Sequence, residues 1–175
     1  MKLRTIVIAA AMLAVGMTGA QADSAADLND LEIAHVAYTA DNIDIRYAHL
    51  ALAISTNPKI HEFAKSMIRD HTAVNELALA LLKKLNAQPQ DNFLSKNLSK
   101  GADALVAEMS KLSGKAFDKR YAENELGYHK AVNDLVENTF IPNIENAEVK
   151  ALFKQGLEIF KSHEAHAEMM VKGLN

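Results

Sequence analysis

The 175-residue chain has no cysteine and no tryptophan, and only three prolines and seven glycines. Without cysteine there can be no disulfide, no thiolate metal ligand and no thiol nucleophile. Metal chemistry would have to rest on imidazole, carboxylate or thioether, and the chain carries seven histidines and seven methionines. So few prolines and glycines leave long stretches without a helix breaker, in a chain large enough to bury a real core. Lysine and arginine form no cluster and the net charge is −3, so nucleic acid is not an expected partner. No Ser-His-acid order and no glycine-rich phosphate loop is present, which leaves hydrolase and nucleotide-binding readings without support.

One compact apolar run stands at the start. Lys2 and Arg4, the apolar stretch Ile6 to Val15, and Ala20-Gln21-Ala22 have the layout of a secretory leader cleaved after Ala22. The run is shorter than the roughly 20 residues a membrane span needs. Residues 1–22 are thus expected to be a signal peptide, and 23–175 an exported, periplasmic domain with no transmembrane segment. Removing Lys2 and Arg4 leaves 17 basic against 22 acidic residues, a net of −5.

The mature part reads as four long amphipathic helices. The first runs from about Asp27 to Ser55, with a seam at Ile33, Val36, Ala40, Ile43, Tyr47, Leu50 and Ile54. The second opens on Asn57 as N-cap and Pro58 at the first helical position, and continues to Leu85. The segment Asn92 to Leu112 is interrupted by Gly101 and reads as a crossover carrying one or two short helices. A third long helix, from about Lys115 to Thr139, is capped by Ser113 and broken at Ile141-Pro142-Asn143; the fourth runs from near Asn146 to Gly173. Two antiparallel hairpins joined by a long crossover make an all-α four-helix bundle of the ferritin-like kind.

Each long helix places a polar group in its apolar sector: Asp44, His71, Glu125 with His129 at its edge, and His163. Asp44 is 13 residues before Asn57 and His71 is 14 after it, so both lie about 20 Å from the first turn. Glu125 and His163 are level across the second hairpin, with His129 one turn nearer the loop. Such a cluster fits a mononuclear site for one divalent transition metal, Zn, Fe, Mn or Cu. It also fits a buried hydrogen-bonded network that specifies helix register, or a small-ligand or haem pocket using a histidine. Met67 with His71 and His166 with Met170 are i,i+4 pairs that could hold copper(I) or simply fill the core. The di-iron pattern needs Glu-x-x-His on two helices. Ile68 and Phe160 stand three residues before His71 and His163, so both bridging carboxylates are missing. No catalytic residue is assigned, and oxidoreductase chemistry of the di-iron type is not expected.

The run NPKIHEFAKSMIRDHTAVNELA, then LSGKAFDKRY, then His129 and His163, resembles an exported bacterial family, domain of unknown function four-one-four-two. Its members are often labelled predicted outer membrane proteins and are placed among ferritin-like bundles. The resemblance implies export and association with the envelope or outer membrane, and no established activity. Its motif residues fall on Asp70, His71, Phe117, Asp118, Tyr121, His129 and His163. It favours His129 over Glu125 as the third-helix participant, and Asp44 stands where many members carry glutamate. Met67, Asp70, Asp118, Tyr121, His166 and Met170 are the candidates for a surrounding layer. The alternative to metal binding is a periplasmic structural or interaction protein whose polar cluster serves register alone.

Overall fold

A computed structural model describes residues 24–174, so the expected leader at 1–22 lies outside the described residues. Every regular element among the described residues is helical. A short 3-10 turn, Ala25–Asp27, leads into α1 (Asp30–Ile54). Asn29 starts α1 with a capping box, its side chain accepting from Leu31 N and Glu32 N while Glu32 Oε2 accepts from Asn29 N. A tight connection through Ser55 and Asn57 leads to α2 (Pro58–Lys84). Asn57 caps Lys59 N, and Pro58 sits where its missing N–H has no helical partner to lose.

The crossover differs from the sequence expectation. It is one continuous helix, α3 (Phe93–Met109), which passes straight through Gly101. Gly101 lies on the exposed side with nothing within 4 Å of where a Cβ would sit. Its cost, about 1 kcal/mol against alanine, is offset by the cap at Asn92 and by burial of Ala102 and Met109. Asn92 is itself buried. Its Oδ1 accepts from Leu94 N and Ser95 N, and its Nδ2 donates to Glu32 O and Gln90 O, tying α3 to the start of α1. Asn92→Ala should therefore cost about 2 kcal/mol. The reading is a lower urea midpoint at constant m value, and an unchanged midpoint would refute it.

Helix α4 (Gly114–Leu135) begins at Ser113, whose hydroxyl makes no cap bond, contrary to the expected role. The turn is set instead by Gly114, at φ 54°, a left-handed conformation that favours glycine. The helix does not stop before Pro142. It passes through one π turn, Val136–Phe140, and into a short turn, α5 (Ile141–Asn143). The wider register places Pro142 in the first turn of α5, where the lost N–H is tolerated. Asn146 then accepts from Glu148 N and Val149 N, and α6 (Ala147–Leu174) follows.

Helix α1 packs along α2, and α4 along α6; α2 also meets α6, α1 meets α4, and α3 lies against α1. The buried apolar side chains fall into two clusters. One holds Ile43, Tyr47, Ile60, Phe63, Met67, Met109, Phe117, Tyr121, Ala167 and Met170. The other holds Leu28, Ile33, Val36, Val136, Phe140, Ile144, Val149 and Leu157. Along every long helix a buried polar stretch separates them: Asp41 and Asp44 on α1, His71 and Asn75 on α2, Glu125 to Asn133 on α4, His163 on α6. A polar layer thus lies between two apolar cores. Each fully buried large side chain contributes about 1.5–3 kcal/mol, so the cores can carry the cost of the layer. No helix among the described residues is long and apolar enough to cross a membrane.

Candidate metal centre

The layer brings together all five residues expected to meet. Asp44 is fully buried, with its Oδ2 2.9 Å from His71 Nε2 and 3.3 Å from His129 Nε2. The His163 ring stands 5.3 Å from that of His71 and 5.5 Å from that of His129. One ring nitrogen from each histidine lies within 4.8 Å of the other two, and Asp44, Glu125 and His129 form a second such trio. His129 belongs to both groups. The α4 contribution is therefore Glu125 and His129 together, one helical turn apart.

Each histidine is held from outside the cluster by one nitrogen. His71 Nδ1 is 2.8 Å from Asp41 Oδ1, His129 Nδ1 is 2.9 Å from the Glu125 carbonyl oxygen, and His163 Nε2 is 3.0 Å from Asp70 Oδ2. A backbone carbonyl can only accept, so His129 donates from Nδ1 and keeps its Nε2 lone pair free. The other nitrogens, His71 Nε2, His129 Nε2 and His163 Nδ1, are buried without a hydrogen-bond partner. Both oxygens of Asp44 and both of Glu125 are in the same condition; the short Asp44–His71 approach lies off hydrogen-bond geometry. Seven donor or acceptor atoms in one buried layer that make no hydrogen bond within the protein are costly unless something shared satisfies them.

Protonation follows from burial and neighbouring charge. Burial alone would push the His71 imidazole down, but Asp44 and Asp41 override it and hold it at about 10. Burial raises Asp44 as well, yet His71 and then His129 draw it below the ordinary carboxylate value. Glu125 is pushed well up by burial and by the Asp44 charge beside it. Burial raises Asp41 against its pairing with His71. The same desolvation lowers His129, and lowers His163 to about 4 despite its bond to Asp70. Free of metal at neutral pH, the layer thus holds a His71 imidazolium, an Asp44 carboxylate and two neutral imidazoles, with Glu125 pushed towards its protonated form.

The surrounding residues divide. Asp70 belongs to the site, since it joins His163 to Arg69, whose Nε and guanidinium contact it at 2.7 and 2.9 Å. Arg69 holds its carboxyl below the usual range. Tyr121 lies one turn before Glu125 with its hydroxyl buried and unpartnered, and burial and the Glu125 charge raise it well above the ordinary phenol value. Asp118 is elsewhere, accepting from Ser55 Oγ at 2.6 Å near the α1–α2 connection. Met67 and Met170 are core residues of the first apolar cluster. His166 packs edge-on to Phe63, ring centroids 5.1 Å apart, and belongs to neither group of potential ligands. Phe160, at one of the two positions where a di-iron site would carry a carboxylate, stacks on His71 at 4.6 Å.

Sequence reasoning missed Asp41. The signal was there: alanines at 34, 37, 40, 48 and 51 widen the apolar sector of α1, so Asp41 falls inside it beside Asp44. Two further buried residues, Asn75 and Asn133, repeat one spacing, four residues after His71 and His129 respectively.

Fold and site together define a helical protein whose core is split by a buried layer of three histidines and their carboxylates. The chain belongs to the family described as Domain of unknown function (DUF4142), whose model matches residues 15–170. No curated protein and no solved structure matches the chain.

Proposed function

We infer that this protein binds one divalent transition-metal ion in its polar layer, through His71, His129 and His163 with Asp44 and Glu125. One observation carries the reading: each histidine is tied by one nitrogen to an oxygen outside the cluster, its other nitrogen is buried without a hydrogen bond, and one ring nitrogen from each lies within 4.8 Å of the other two. Metal-ligating histidines have this habit, because the outer bond sets tautomer and ring direction. Nitrogen and oxygen donors without sulfur suit zinc, iron, manganese or copper(II). The ion would supply positive charge to two carboxylates and a shared partner to three imidazoles. Asp41 and Asp70 would orient His71 and His163 and raise their basicity.

The helix pairing supports a ferritin-like four-helix bundle with α3 as its crossover. The leader pattern supports export, with residues 23–175 acting in a bacterial periplasm or at the envelope. Metal binding there would serve storage or protection against stress. A second reading has its own support: His71 is already flanked by Asp41 and Asp44 at 2.8 and 2.9 Å. The layer would then be a buried charge network that specifies register in an envelope structural or interaction protein.

Elemental analysis of natively purified protein, with zinc titration of chelator-treated protein, separates the two. Metal binding requires about one ion per chain in the wild type, and affinity lowered by at least about 100-fold in His71→Ala/His163→Ala. Substoichiometric metal, or affinity equal in both proteins, would sink it in favour of the network.

A further inference from the structure

Among the described residues, one chain of hydrogen bonds runs from a central histidine to an exposed side chain. It leaves from His163, the most exposed of the three histidines, whose Nε2 meets Asp70 Oδ2 at 3.0 Å. The Asp70 side chain is 23 % exposed, and Arg69, which holds both of its oxygens, is 71 % exposed. The other two histidines have no such path. His71 is tied to Asp41, itself buried, and His129 to a backbone carbonyl. The layer also nears the surface where Asn133 Nδ2 donates to Glu164 Oε2 at 2.8 Å, but that bond ends on an amide and reaches no central nitrogen. The rings differ in how firmly they are held as well. His71 lies flat against Phe160 at 4.6 Å and between two carboxylates. His163 is tilted by 41° from Phe160, with centroids 5.9 Å apart, and its Nδ1 makes no hydrogen bond.

We propose that Arg69, Asp70 and His163 form an entry latch, in which the Asp70 carboxylate is an outer position that captures a divalent cation before His163 takes it into the layer. The inference rests on the metal-binding reading above. A hydrated cation cannot pass through the apolar cores, because losing its water without replacement ligands is prohibitive. A partly exposed carboxylate that already bonds a ligating histidine supplies a replacement oxygen at the rim. Arg69 occupies that carboxylate and keeps the position shut, yet an exposed ion pair is weak and opens readily. His163, stacked on no ring, can then turn about its own side-chain torsions while His71 and His129 stay in place. Arg69 bonds to Asp70 and to no central residue, so it governs the rates of entry and exit and not the affinity.

Zinc is the probe, with uptake by the chelator-treated mature chain and release to a chromophoric chelator both followed by stopped flow. Arg69→Gln should speed uptake and release together by about two- to five-fold, the range of an exposed ion pair, and leave affinity unchanged. Asp70→Asn keeps an acceptor for His163 but loses the charge. Its uptake should slow by at least about ten-fold, the low end of what charge attraction adds to an association rate. Asp41→Asn is the comparison, since Asp41 supports His71 from a buried position. It should weaken binding through faster release, with the uptake rate unchanged. Lys65→Gln removes an exposed cation one turn before Arg69 and should change neither rate, which separates the latch from net charge. Should Asp70→Asn fail to fold, Arg69→Gln, altered only at an exposed side chain, still decides. Stoichiometric zinc with uptake by Arg69→Gln equal to wild type, or Asp70→Asn changed in release alone, would overturn the latch and leave the metal centre standing. Absence of zinc binding by the wild type would instead remove the metal reading, and the latch with it.

Discussion

Asp44→Ala is expected to destabilise the metal-free protein by about 3–5 kcal/mol at pH 7. Asp44 is fully buried and lies 2.9 Å from the His71 ring and 3.3 Å from His129. Its removal leaves His71 either as a buried imidazolium with Asp41 alone, or neutral with one flanking carboxylate gone. Both outcomes are expensive, and the truncation adds an unfilled space in a packed layer. Asp44→Asn should recover the space but not the charge, and so fall between the two. Asp103→Ala is the control, since it removes an exposed partner of Arg46 and should leave the midpoint nearly unchanged. Urea denaturation in the presence of chelator measures all three. A loss of less than about 1 kcal/mol for Asp44→Ala would mean that His71 is not charged in the folded protein.

The stability of the metal-free protein should peak near pH 6.5, and metal loading should release protons. Above 6.5 the folded state keeps on His71, held at about 10, a proton that the unfolded chain has given up, and raised Glu125 acts in the same direction. Stability then falls as pH rises. Below 6.5 the unfolded chain protonates all three central histidines, whereas folded His129 and His163 refuse the proton, His163 down to about 4. The unfolded chain then gains protons on His129 and His163 that the folded state does not take up, so stability also falls as pH drops. The slope is about 1.4 kcal/mol per pH unit for each proton of difference. Raised Asp41 acts in the same direction as Glu125 and moves the peak lower without removing it. Stability that rises steadily from pH 5 to pH 9 would contradict this assignment.

The His71 proton predicts the signature of metal uptake. Ligation through His71 Nε2 displaces it, and ligation through Glu125 displaces whatever proton that raised carboxyl holds. Zinc binding at pH 7 should accordingly release at least one proton per ion, read by calorimetry in buffers of different ionisation enthalpy. Release near zero would place the ion outside the layer.

The sequence by itself determined the helices and the level of the polar groups. Apolar residues at three- and four-residue spacing, Asn57-Pro58 at one start and few breakers leave little choice of local structure. Because rise per residue is constant, counting from the connection placed Asp44 level with His71, and the 2.9 Å contact realises that count. Tertiary structure decided what lies beyond one helix's own geometry. It brought Asp41 to His71, Asp70 to His163, and both Glu125 and His129 to Asp44, because side-chain direction across a helix interface depends on the facing surface. It also sent Asp118 to Ser55 and His166 to Phe63, although their sequence positions pointed equally well towards the site. Gly101 and Pro142, read locally as breaks, became parts of continuous helical paths, because packing and capping outweigh a penalty of about 1 kcal/mol at a single glycine. Periodicity states which residues turn inward. Only the assembled layer states which of them meet, and which nitrogen each histidine leaves free.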